Sequence, residues 1–305
     1  MLVTFLGTSG SIPTANRNLP SIAILRQSEL FLFDCGEGTQ RQMFIARVGF
    51  GRKTKIFITH MHGDHVLGLP GLFQTMSLLG REEPLEVFGP AGLRKFIEAF
   101  KKTVQFGLTF PIIVEEIRDG QSLCETRDYS IRCVQVEHSV PSFAYGLIEK
   151  ERPGRFHPEK AMALGIPKGP KWSQLQYNEP IALQGGEIVT PDEVTDPRRP
   201  GRKIVYSGDT KPSARLAEFA QGADLLIHDS TFRNDLQEKA SEEGHSTAGQ
   251  AARIAGQSKV GFLALFHISA RYIDPKVLLE EAKQFFTNVF VAEDFMTLKI
   301  SYKKM

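Results

Sequence analysis

The sequence predicts an α/β protein of layered sheets and helices, and two observations carry this prediction. Short apolar runs typical of buried strands recur along the chain, and helix-like stretches alternate with many of them. The composition is that of an ordinary globular protein, with 41% hydrophobic and 24% charged residues over 305 positions. Strands that alternate with helices favour layered sheets covered by helices over an all-helical or all-strand fold.

The predicted elements follow one another from the amino terminus. The strand-like runs are LVTFLG, SIAILRQ, LFLFD, KIFIT, PLEVFG, PIIVEEI, YSIRCVQVEH, SFAYGLIE, KIVYSGD, ADLLIHD, VGFLALFH, NVFVAED and TLKISY. The helix-like stretches are GTQRQMFIARV, LPGLFQTMSLLG, AGLRKFIEAFKKT, KPSARLAEFAQ, STAGQAARIAG and DPKVLLEEAKQFF. Ser246 and Asp274 are predicted to cap two of these helices. Pro212 and Pro275 are predicted to lie in first turns, where a missing N–H costs little.

Charge, cysteine usage and hydropathy narrow the functional class. The formal net charge is +2, so total charge argues neither for nor against a nucleic-acid partner. Cys35, Cys124 and Cys133 are odd in number and lack CxxC spacing, so we expect buried free thiols rather than a disulfide framework. No apolar run approaches the roughly 20 residues of a membrane span, and the amino terminus lacks the basic region of a signal peptide. We therefore expect a cytoplasmic protein.

One segment, from about residue 149 to 203, departs from the strand and helix pattern. It is rich in proline, glycine and basic residues, and Lys150 to Lys171 contains six Lys or Arg against two acids. It is too long for a plain connection within a compact domain. The sequence therefore predicts a single domain, residues 1–305, with a projecting basic insertion at about 149–203. The alternative is a surface excursion without function.

Three histidines and an aspartate fall within six positions, directly after the predicted strand KIFIT. His60 and His62 are two apart, and alternate side chains at a strand end point the same way, so both imidazoles can reach one ion. Asp64 and His65 follow in the next turn and can face a second point nearby. Imidazole and carboxylate ligands suit Zn²⁺, with Mn²⁺ or Fe as competitors. The cluster therefore predicts a metal site.

Further candidate ligands each end a predicted strand. These are His138, Asp209 and His267, and α/β sheets place site residues at such strand ends. A lone histidine there is more often a hydrogen-bonded structural residue, but the cluster needs ligands from elsewhere in the chain. Asp209 is suited to bridge two cations, because a buried carboxylate without partners is costly. Together with the cluster, these residues can hold two metals about 3.5–4 Å apart.

The motif THMHGDH matches the HxHxDH signature of the metallo-β-lactamase superfamily. Within that superfamily the chain resembles the ribonuclease Z family, over Leu2 to about Met296. The stretches that carry the resemblance are FLGTSGSIPTANRN, FDCGEGTQRQ, HMHGDHVLGLPGL, YSGDT, HST, FHISARY and AEDFM. The basic insertion, with GIPKGPKW, adds to it.

This resemblance implies a fold and a metal centre. The fold would be a four-layer αββα sandwich with the centre at one edge between the two sheets. The centre would hold two Zn²⁺ per subunit, or Mn²⁺ or another divalent metal, with Asp209 as the bridge. The implied ligands are His60, His62 and His138 for one ion, and Asp64, His65 and His267 for the other.

The resemblance also implies a reaction. The family removes the 3′ trailer from precursor tRNA by cutting after the discriminator base, which leaves a 3′-hydroxyl on the tRNA. Its flexible arm, the exosite, grips the tRNA body and corresponds to the basic insertion here. The family works as a homodimer in which the arm serves the partner's active site. The expected partners are therefore precursor tRNA and a second copy of the chain, and not DNA or a membrane.

Three residues are candidates for proton chemistry. Asp64 would ligate metal and orient or deprotonate the nucleophile. His245, in GHST and outside the metal set, is the candidate general acid for the leaving 3′-oxygen. Asp229, in HDST, is the candidate carboxylate that helps His245 to hold its proton. The family more often reads HEAT where this chain reads HDST, so the carboxylate here is one methylene shorter.

Other residues are candidates for contacts with RNA. Arg271 could bind a phosphate bidentately, or form a surface ion pair. Trp172 could stack on a base or pin the insertion to the body, and His157 is expected to be solvated or to meet phosphate. His228 is expected to make a structural hydrogen bond. The cations of the insertion that could pair with backbone phosphates are Arg152, Arg155, Lys160, Lys168, Lys171, Arg198, Arg199 and Arg202.

Two other functions remain open from sequence. A different hydrolase of the superfamily would use nearly the same site on a small substrate, although such a substrate needs no basic insertion. A metal-containing RNA-binding module without catalysis would bind tRNA and leave it uncut.

Overall fold

The structure of the protein, a computed structural model, describes residues 1–303. This part of the chain forms two compact units. The first comprises residues 1–125, 130–148 and 203–301, and the second comprises residues 126–129, 149–202 and 302–303.

The strands, in chain order, are β1 (Leu2–Gly7), β2 (Ser9–Gly10), β3 (Ser21–Arg26), β4 (Glu29–Phe33), β5 (Lys53–Phe57), β6 (Leu85–Gly89), β7 (Ile112–Glu116), β8 (Ser122–Glu125), β9 (Tyr129–Val136), β10 (Ser142–Glu149), β11 (Ile181–Ala182), β12 (Ile188–Val189), β13 (Lys203–Tyr206), β14 (Leu225–Asp229), β15 (Phe262–Phe266), β16 (Ile268–Ser269), β17 (Val289–Val291) and β18 (Thr297–Lys299). The α-helices are α1 (Thr39–Ile45), α2 (Gly63–Val66), α3 (Leu69–Leu78), α4 (Leu93–Thr103), α5 (Pro158–Ala163), α6 (Pro170–Gln176), α7 (Pro191–Val194), α8 (Ala214–Phe219), α9 (Gln237–Glu243), α10 (Ala248–Gln257) and α11 (Lys276–Lys283).

The first unit is built on two seven-stranded sheets. One sheet has the order β18-β1-β3-β4-β5-β6-β7, and the other has the order β17-β15-β14-β13-β10-β9-β8. Alternation along β4 shows how the layers form, because successive side chains of a strand point to opposite faces. Leu30 and Leu32 pack with residues of α1, α3 and α4 on the outer face. Phe33 faces inward, against Tyr145 and Tyr206 of the other sheet.

The second sheet is covered in the same way. Its outer face packs against the alanine-rich helix α10 together with α8 and α11. Between the sheets the core is aromatic, and Phe5 of β1 lies 6.0 Å from Phe266 of β15 between ring centroids. Helices therefore cover both outer faces of two packed sheets. The predicted four-layer αββα sandwich is confirmed.

Parallel pairing aligns the carboxyl ends of the central strands. In the first sheet β4 runs parallel to β5, with Phe33 opposite Phe57. In the second sheet β13, β14 and β15 are mutually parallel, with Asp229 opposite Phe266. The loops that leave these strands consequently start at the same edge of their sheets, and they carry the candidate ligands.

The start of α10 differs from the prediction by one residue. Its N-cap is Thr247, whose Oγ1 accepts from the Gln250 N–H while the Gln250 side chain accepts from the Thr247 N–H. This reciprocal pair is a capping box, and it satisfies two helix donors at once. The Ser246 hydroxyl instead donates to the carbonyl of Thr210.

Pro212 and Pro275 each lie just before the first turn of a helix rather than within it. Ser213 is the N-cap of α8, so Pro212 precedes the helix rather than occupying its first turn. Pro275 is itself the N-cap of α11, and the Asp274 carboxylate accepts from the Lys276 N–H. Asp274 therefore supports the helix start from one position further out.

The cysteines are free thiols, as the sequence predicts. Cys35 and Cys133 are buried free thiols, and Cys124 is a half-buried one. Among the described residues, no helix is long and apolar enough to cross a membrane.

The second unit contains most of the predicted insertion and has its own small core. The sequence predicted no regular elements there, yet α5, α6, α7 and the β11–β12 hairpin form. Trp172 packs on Phe156 at 5.2 Å between ring centroids, and its Nε1 donates to the Ile166 carbonyl. The buried apolar residues of this unit are Ala161, Ile166, Leu175, Ile181, Val189 and Val194.

Candidate active site

The HxHxDH stretch forms a loop that runs into a short helix. His60 follows the end of β5, and His62 is the N-cap of α2. Asp64 and His65 therefore lie in the single turn of α2, where they project from the helix towards the loops of the second sheet. A Cβ at position 63 would lie 3.1 Å from Leu67 Cδ1, so glycine avoids a tight contact with that side chain. The structure brings all seven predicted ligands into one cluster.

One group of nitrogen atoms surrounds a common point. His62 Nδ1 lies 3.0 Å from His60 Nε2 and 3.2 Å from His138 Nε2. His60 Nε2 lies 3.7 Å from Asp209 Oδ2. Four tetrahedral ligands at about 2.0–2.1 Å from zinc are separated from one another by about 3.3–3.4 Å. The spacing of this group therefore fits a single metal ion.

A second group shares one oxygen with the first. His267 Nε2 lies 3.4 Å from Asp64 Oδ2 and 3.2 Å from Asp209 Oδ2. His65 Nε2 lies 3.5 Å and 3.4 Å from the same two oxygens. Asp209 Oδ2 is therefore close to the nitrogen atoms of both groups.

Two buried atoms of the cluster indicate that a cation fits there. His65 Nε2 and Asp209 Oδ1 are inaccessible to water and have no hydrogen-bond partner among the described residues. A buried polar atom without a partner is costly. A metal ion between the two groups would satisfy these atoms, so the donor set fits divalent cations.

Protonation states differ between the two groups. Burial, with the neighbouring His65 charge, lowers the pKa of His60, and burial also lowers the pKa values of His62 and His138. These three imidazoles are neutral at pH 7 and keep the lone pair that a metal needs. Burial opposes the charged form of His65, but the carboxylates around it, Asp209 first, outweigh burial and raise the pKa. The second group thus favours positive charge between its carboxylates.

The outer nitrogen of four histidines is held by a hydrogen bond, which fixes the direction of the inner nitrogen. The Nδ1 partners are Thr59 Oγ1 for His60 at 2.9 Å, Asp34 Oδ2 for His65 at 2.7 Å, the Gly244 carbonyl for His138 at 2.7 Å, and Thr231 Oγ1 for His267 at 2.9 Å. His62 is the exception, since its Nδ1 faces the cluster.

Asp34 is a supporting residue that the sequence reading missed. It is fully buried and accepts hydrogen bonds from the Thr59 N–H at 2.8 Å, from His65 Nδ1, and from the Tyr206 hydroxyl at 2.8 Å. Its φ of 56° and the φ of 60° at His267 lie in the left-handed region, a strained backbone that is common at functional sites. An acid that ends the apolar run LFLFD at the same sheet edge as the ligands was the available signal.

The predicted proton donor and its carboxylate are in contact. His245 Nδ1 lies 2.8 Å from Asp229 Oδ2, so the shorter side chain of Asp still reaches. Asp229 also accepts from the Thr231 hydroxyl at 2.7 Å and from the Thr210 N–H at 3.1 Å. Burial disfavours the imidazolium form, but the Asp229 charge outweighs burial and raises the pKa of His245 to about 9. The ring of His245 lies 5.0 Å from that of His138.

The cations that are candidates for RNA contacts differ in whether other groups of the protein bind their side chains. Arg271 lies over the Phe232 ring at 4.9 Å and bonds Ser269 Oγ, and its surface ion pair is not found among the described residues. Arg155 and Lys168 are exposed in the second unit. Lys171 is exposed, although its Nζ donates to the Ala182 carbonyl at 3.1 Å.

Other cations of the second unit have structural roles instead of facing solvent freely. Arg202 forms two bonds of 2.8 Å to the Glu149 carboxylate and lies over the Tyr302 ring. Arg152 also lies over the Tyr302 ring, and Arg199 donates to the Pro153 carbonyl. Folding of the unit already engages these three guanidinium groups, and pairing of the eight cations with backbone phosphates stays a prediction.

Two remaining histidines are placed by their hydrogen bonds. His228 Nδ1 donates to the carbonyl of Asp229 at 2.7 Å, which confirms the structural bond predicted for it. His157 lies between Asp196 at 2.7 Å and Glu159 at 3.0 Å. The His157 side chain is partly exposed, and the contact with phosphate stays a prediction.

Comparisons with known proteins relate the chain to known families. Residues 1–152 match a family described as Anti-Pycsar protein Apyc1, and residues 194–268 match the Beta-lactamase superfamily domain. The chain is 50% identical to the Ribonuclease Z of Methanosarcina acetivorans over 302 residues, which cover 99% of this chain and 98% of that protein. The chain belongs to the ribonuclease Z family. It is also 47% identical to the Ribonuclease Z of Methanothermobacter thermautotrophicus, with 98% of this chain and 97% of that protein covered.

A solved structure supports the membership in the ribonuclease Z family. Human tRNase Z, short form, superposes with a TM-score of 0.73 at 30% identity, with 99% of this chain and 100% of that chain covered. The metallo-β-lactamase fold protein YhfI of Bacillus subtilis superposes with a TM-score of 0.69 at 21% identity over 98% of this chain and 99% of that chain, and this likeness concerns the fold alone.

Proposed function

We propose that this member of the ribonuclease Z family is a metal-dependent endoribonuclease that removes the 3′ trailer from precursor tRNA. It cuts after the discriminator base and leaves a 3′-hydroxyl on the tRNA. The observation that carries the proposal is 50% identity to a Ribonuclease Z over nearly the whole chain. The cluster of seven ligand-type side chains supports it.

The proposed cofactor is a pair of Zn²⁺ ions, with Mn²⁺ as the main competitor. When bound, two divalent ions lower the pKa of water from about 15.7 towards 7 and neutralise charge on the phosphoryl oxygens. Asp209 would contact both ions. The remaining ligands would be His60, His62 and His138 at the first position, and Asp64, His65 and His267 at the second.

Protein side chains supply the proton chemistry in this proposal. The Asp64 carboxylate orients the attacking water and accepts its proton. Asp229 holds the Nδ1 proton of His245, so the other nitrogen, Nε2, is the one that faces substrate. His245 gives its Nε2 proton to the 3′-oxygen as the bond from phosphorus to that oxygen breaks, and the imidazole becomes neutral.

The second unit is proposed to bind the body of the tRNA. Its small core holds the short helices in place, and the exposed cations Arg155, Lys168 and Lys171 lie on that scaffold. Contacts with phosphate fix the position of an RNA without reading its sequence. Arg271, in the first unit and exposed beside Phe232, is proposed to neutralise a phosphate closer to the reaction.

A homodimer in the cytoplasm completes the proposal. Helices α1 and α3 pack against each other and expose large apolar side chains. Phe44 is 55% exposed and Leu78 is 81% exposed, which is unfavourable for a monomer in water. A second copy of the chain would cover such a surface. Sedimentation of the intact chain beside Phe44→Glu with Leu78→Glu tests this, with a dimer expected only for the intact chain.

Cleavage of a precursor tRNA by Asp64→Ala tests the proposed site. The intact protein should cut once, and the variant should lose at least on the order of 10²-fold in kcat, because it lacks both a ligand and a proton acceptor. Metal content is measured on both proteins. Asp128→Ala, a substitution in the second unit, is the control. Equal cleavage by the Asp64 variant and the intact chain would contradict the assignment.

A further inference from the structure

A loop near the amino terminus, residues 8–18, is fastened at its base by one carboxylate. Asp294 Oδ1 accepts from the Thr8 hydroxyl at 2.7 Å, and its Oδ2 accepts from the Asn18 N–H at 2.7 Å. Gln42 Nε2 donates to the same Oδ2 at 3.0 Å. The two ends of the loop are thus held by the two oxygens of a single side chain.

Arg17 also holds the two ends of this loop in place. Its guanidinium donates to the Thr8 hydroxyl at 2.7 Å and to the carbonyl of Ala292, two residues before Asp294, at 2.6 Å. Thr8 therefore accepts from Arg17 and donates to Asp294. Charge-assisted bonds of this kind are about twice as strong as neutral ones, so the base of the loop is a firm anchor.

The far part of the loop reaches the metal cluster. The Ser11 N–H donates to Asp64 Oδ2 at 2.9 Å, and this is the oxygen that faces His65 and His267. Ser11 adopts a φ of 63°, an unfavourable conformation for a residue with a side chain. The surrounding loop must impose that conformation, since Ser11 itself is exposed.

The loop also touches His267. Its β2 segment pairs in parallel with β16, the residues that directly follow His267. A Cβ added at Gly10 would lie 2.6 Å from Nδ1 and Cε1 of the His267 ring. Gly10 therefore packs closely against the Nδ1 and Cε1 atoms of that imidazole, and the position of the loop limits the rotation of the ring.

We infer that Asp294 is a positioning residue for the metal centre: by fastening residues 8–18 it holds the Ser11 N–H on the Asp64 carboxylate and Gly10 against the His267 ring. Asp294 does not touch the reacting atoms. Two ligands of the second metal position depend on it through one loop. The inference rests on the proposed function only in taking this cluster as the catalytic centre.

Asp294→Asn tests the inference, because an amide has one acceptor where the carboxylate has two. At least one donor among Thr8, Asn18 and Gln42 then faces an NH₂ group. We expect kcat to fall about tenfold or more, as for other residues that orient metal ligands. The fall should be similar with precursor tRNA and with bis(p-nitrophenyl) phosphate. The KM for precursor tRNA should stay within about twofold.

Two readouts do not depend on activity. Amide hydrogen exchange at Ser11 should speed up in Asp294→Asn, and metal affinity, measured by competition with a chelator, should weaken about tenfold or more. Glu293→Gln is the matched control, since it removes the same charge from the adjacent exposed side chain and should match the intact protein in every readout. Thr8→Val, nearly isosteric, should shift the same quantities in the same direction by less.

Different results overturn the two proposals separately. Unchanged exchange at Ser11 together with unchanged kcat in Asp294→Asn would overturn the positioning role. A loss confined to the KM for precursor tRNA would also overturn it, because that result indicates a contact with substrate. Failure of the intact protein to cut precursor tRNA would remove the proposed function, while exchange at Ser11 and metal affinity would still test the loop.

Discussion

Asp229 Oδ2 lies 2.8 Å from His245 Nδ1, and both side chains are buried. Asp229 ends β14, and His245 lies in the loop before α10. The backbone of β14 brings the carboxylate close enough that an aspartate suffices where the family more often has a glutamate. The contact engages Nδ1 of His245, so the proposed proton transfer uses Nε2.

Loss of either member of this pair should slow the chemical step. His245→Ala removes the proposed proton donor and should lower kcat by about 10²–10⁴-fold, the usual contribution of general acid catalysis. Asp229→Asn should lower kcat by less, because the imidazole remains but is held less firmly as the cation. Single-turnover cleavage of precursor tRNA measures both. Asp235→Asn, an exposed carboxylate of the same unit, is the control. Full activity in His245→Ala would exclude it as the proton donor.

The support of His65 by Asp34 should be visible in metal binding. Asp34→Asn keeps the shape of the side chain but weakens the acceptor for His65 Nδ1 and the Thr59 N–H. We expect metal affinity to fall about 10–100-fold, with a parallel loss of kcat. Tyr206→Phe removes one donor to the buried Asp34 carboxylate and should cost about 1.5–3 kcal/mol of stability. Chelator competition and thermal unfolding measure these changes. An Asp34→Asn protein with unchanged metal affinity would disprove the supporting role.

Exposed cations of the second unit should act on RNA binding alone. Replacing Lys168 and Lys171 together by Ala should raise the KM for precursor tRNA severalfold and flatten its dependence on salt, because fewer counterions are released. Hydrolysis of bis(p-nitrophenyl) phosphate should not change. Lys101→Ala with Lys102→Ala, on α4 of the first unit, is the matched control. Equal effects of the two double variants would indicate a nonspecific charge effect and contradict the proposed role.

His157 should titrate above the ordinary histidine range. The hydrogen bonds that His157 donates, to Asp196 first and then to Glu159, raise the pKa of His157. A raised pKa in the folded state means that the ion pair contributes its full stability below about pH 6.5 and loses it as pH rises through the folded pKa. NMR titration should give a lower pKa in Asp196→Asn than in the intact chain. Identical pKa values in the two proteins would show that the contact is absent in solution.

Sequence reasoning succeeded where a local pattern determines the chemistry. The spacing of HMHGDH predicts two ligand groups, and the strand ends predict His138, Asp209 and His267 because parallel strands align their carboxyl ends. Sequence patterns did not identify Asp34, because one acid after an apolar strand resembles an ordinary turn residue. Its partners come from different segments of the chain and are known only from the structure. The contact of Asp294 with Thr8 likewise joins positions 286 apart in the chain.

The second unit shows another limit of sequence patterns. Its helices have six, seven and four residues, too short for a clear helical period. In a sequence, proline suggests that a helix is interrupted, yet here it occupies the first position of each of these helices. The sequence predicts that Trp172 stacks on a base or pins the insertion to the body, and that Arg202 could pair with phosphate. In the structure Trp172 packs on Phe156, and Arg202 pairs with Glu149.

The most direct test of the central claim is to map the products of precursor tRNA incubated with the intact, metal-loaded protein. Mass spectrometry of both fragments gives the position and chemistry of the cut. The account predicts one cut after the discriminator, with a 3′-hydroxyl on the tRNA and a 5′-phosphate on the trailer. Intact precursor together with rapid hydrolysis of bis(p-nitrophenyl) phosphate would contradict it, and would leave a metal-dependent phosphodiesterase with a different substrate.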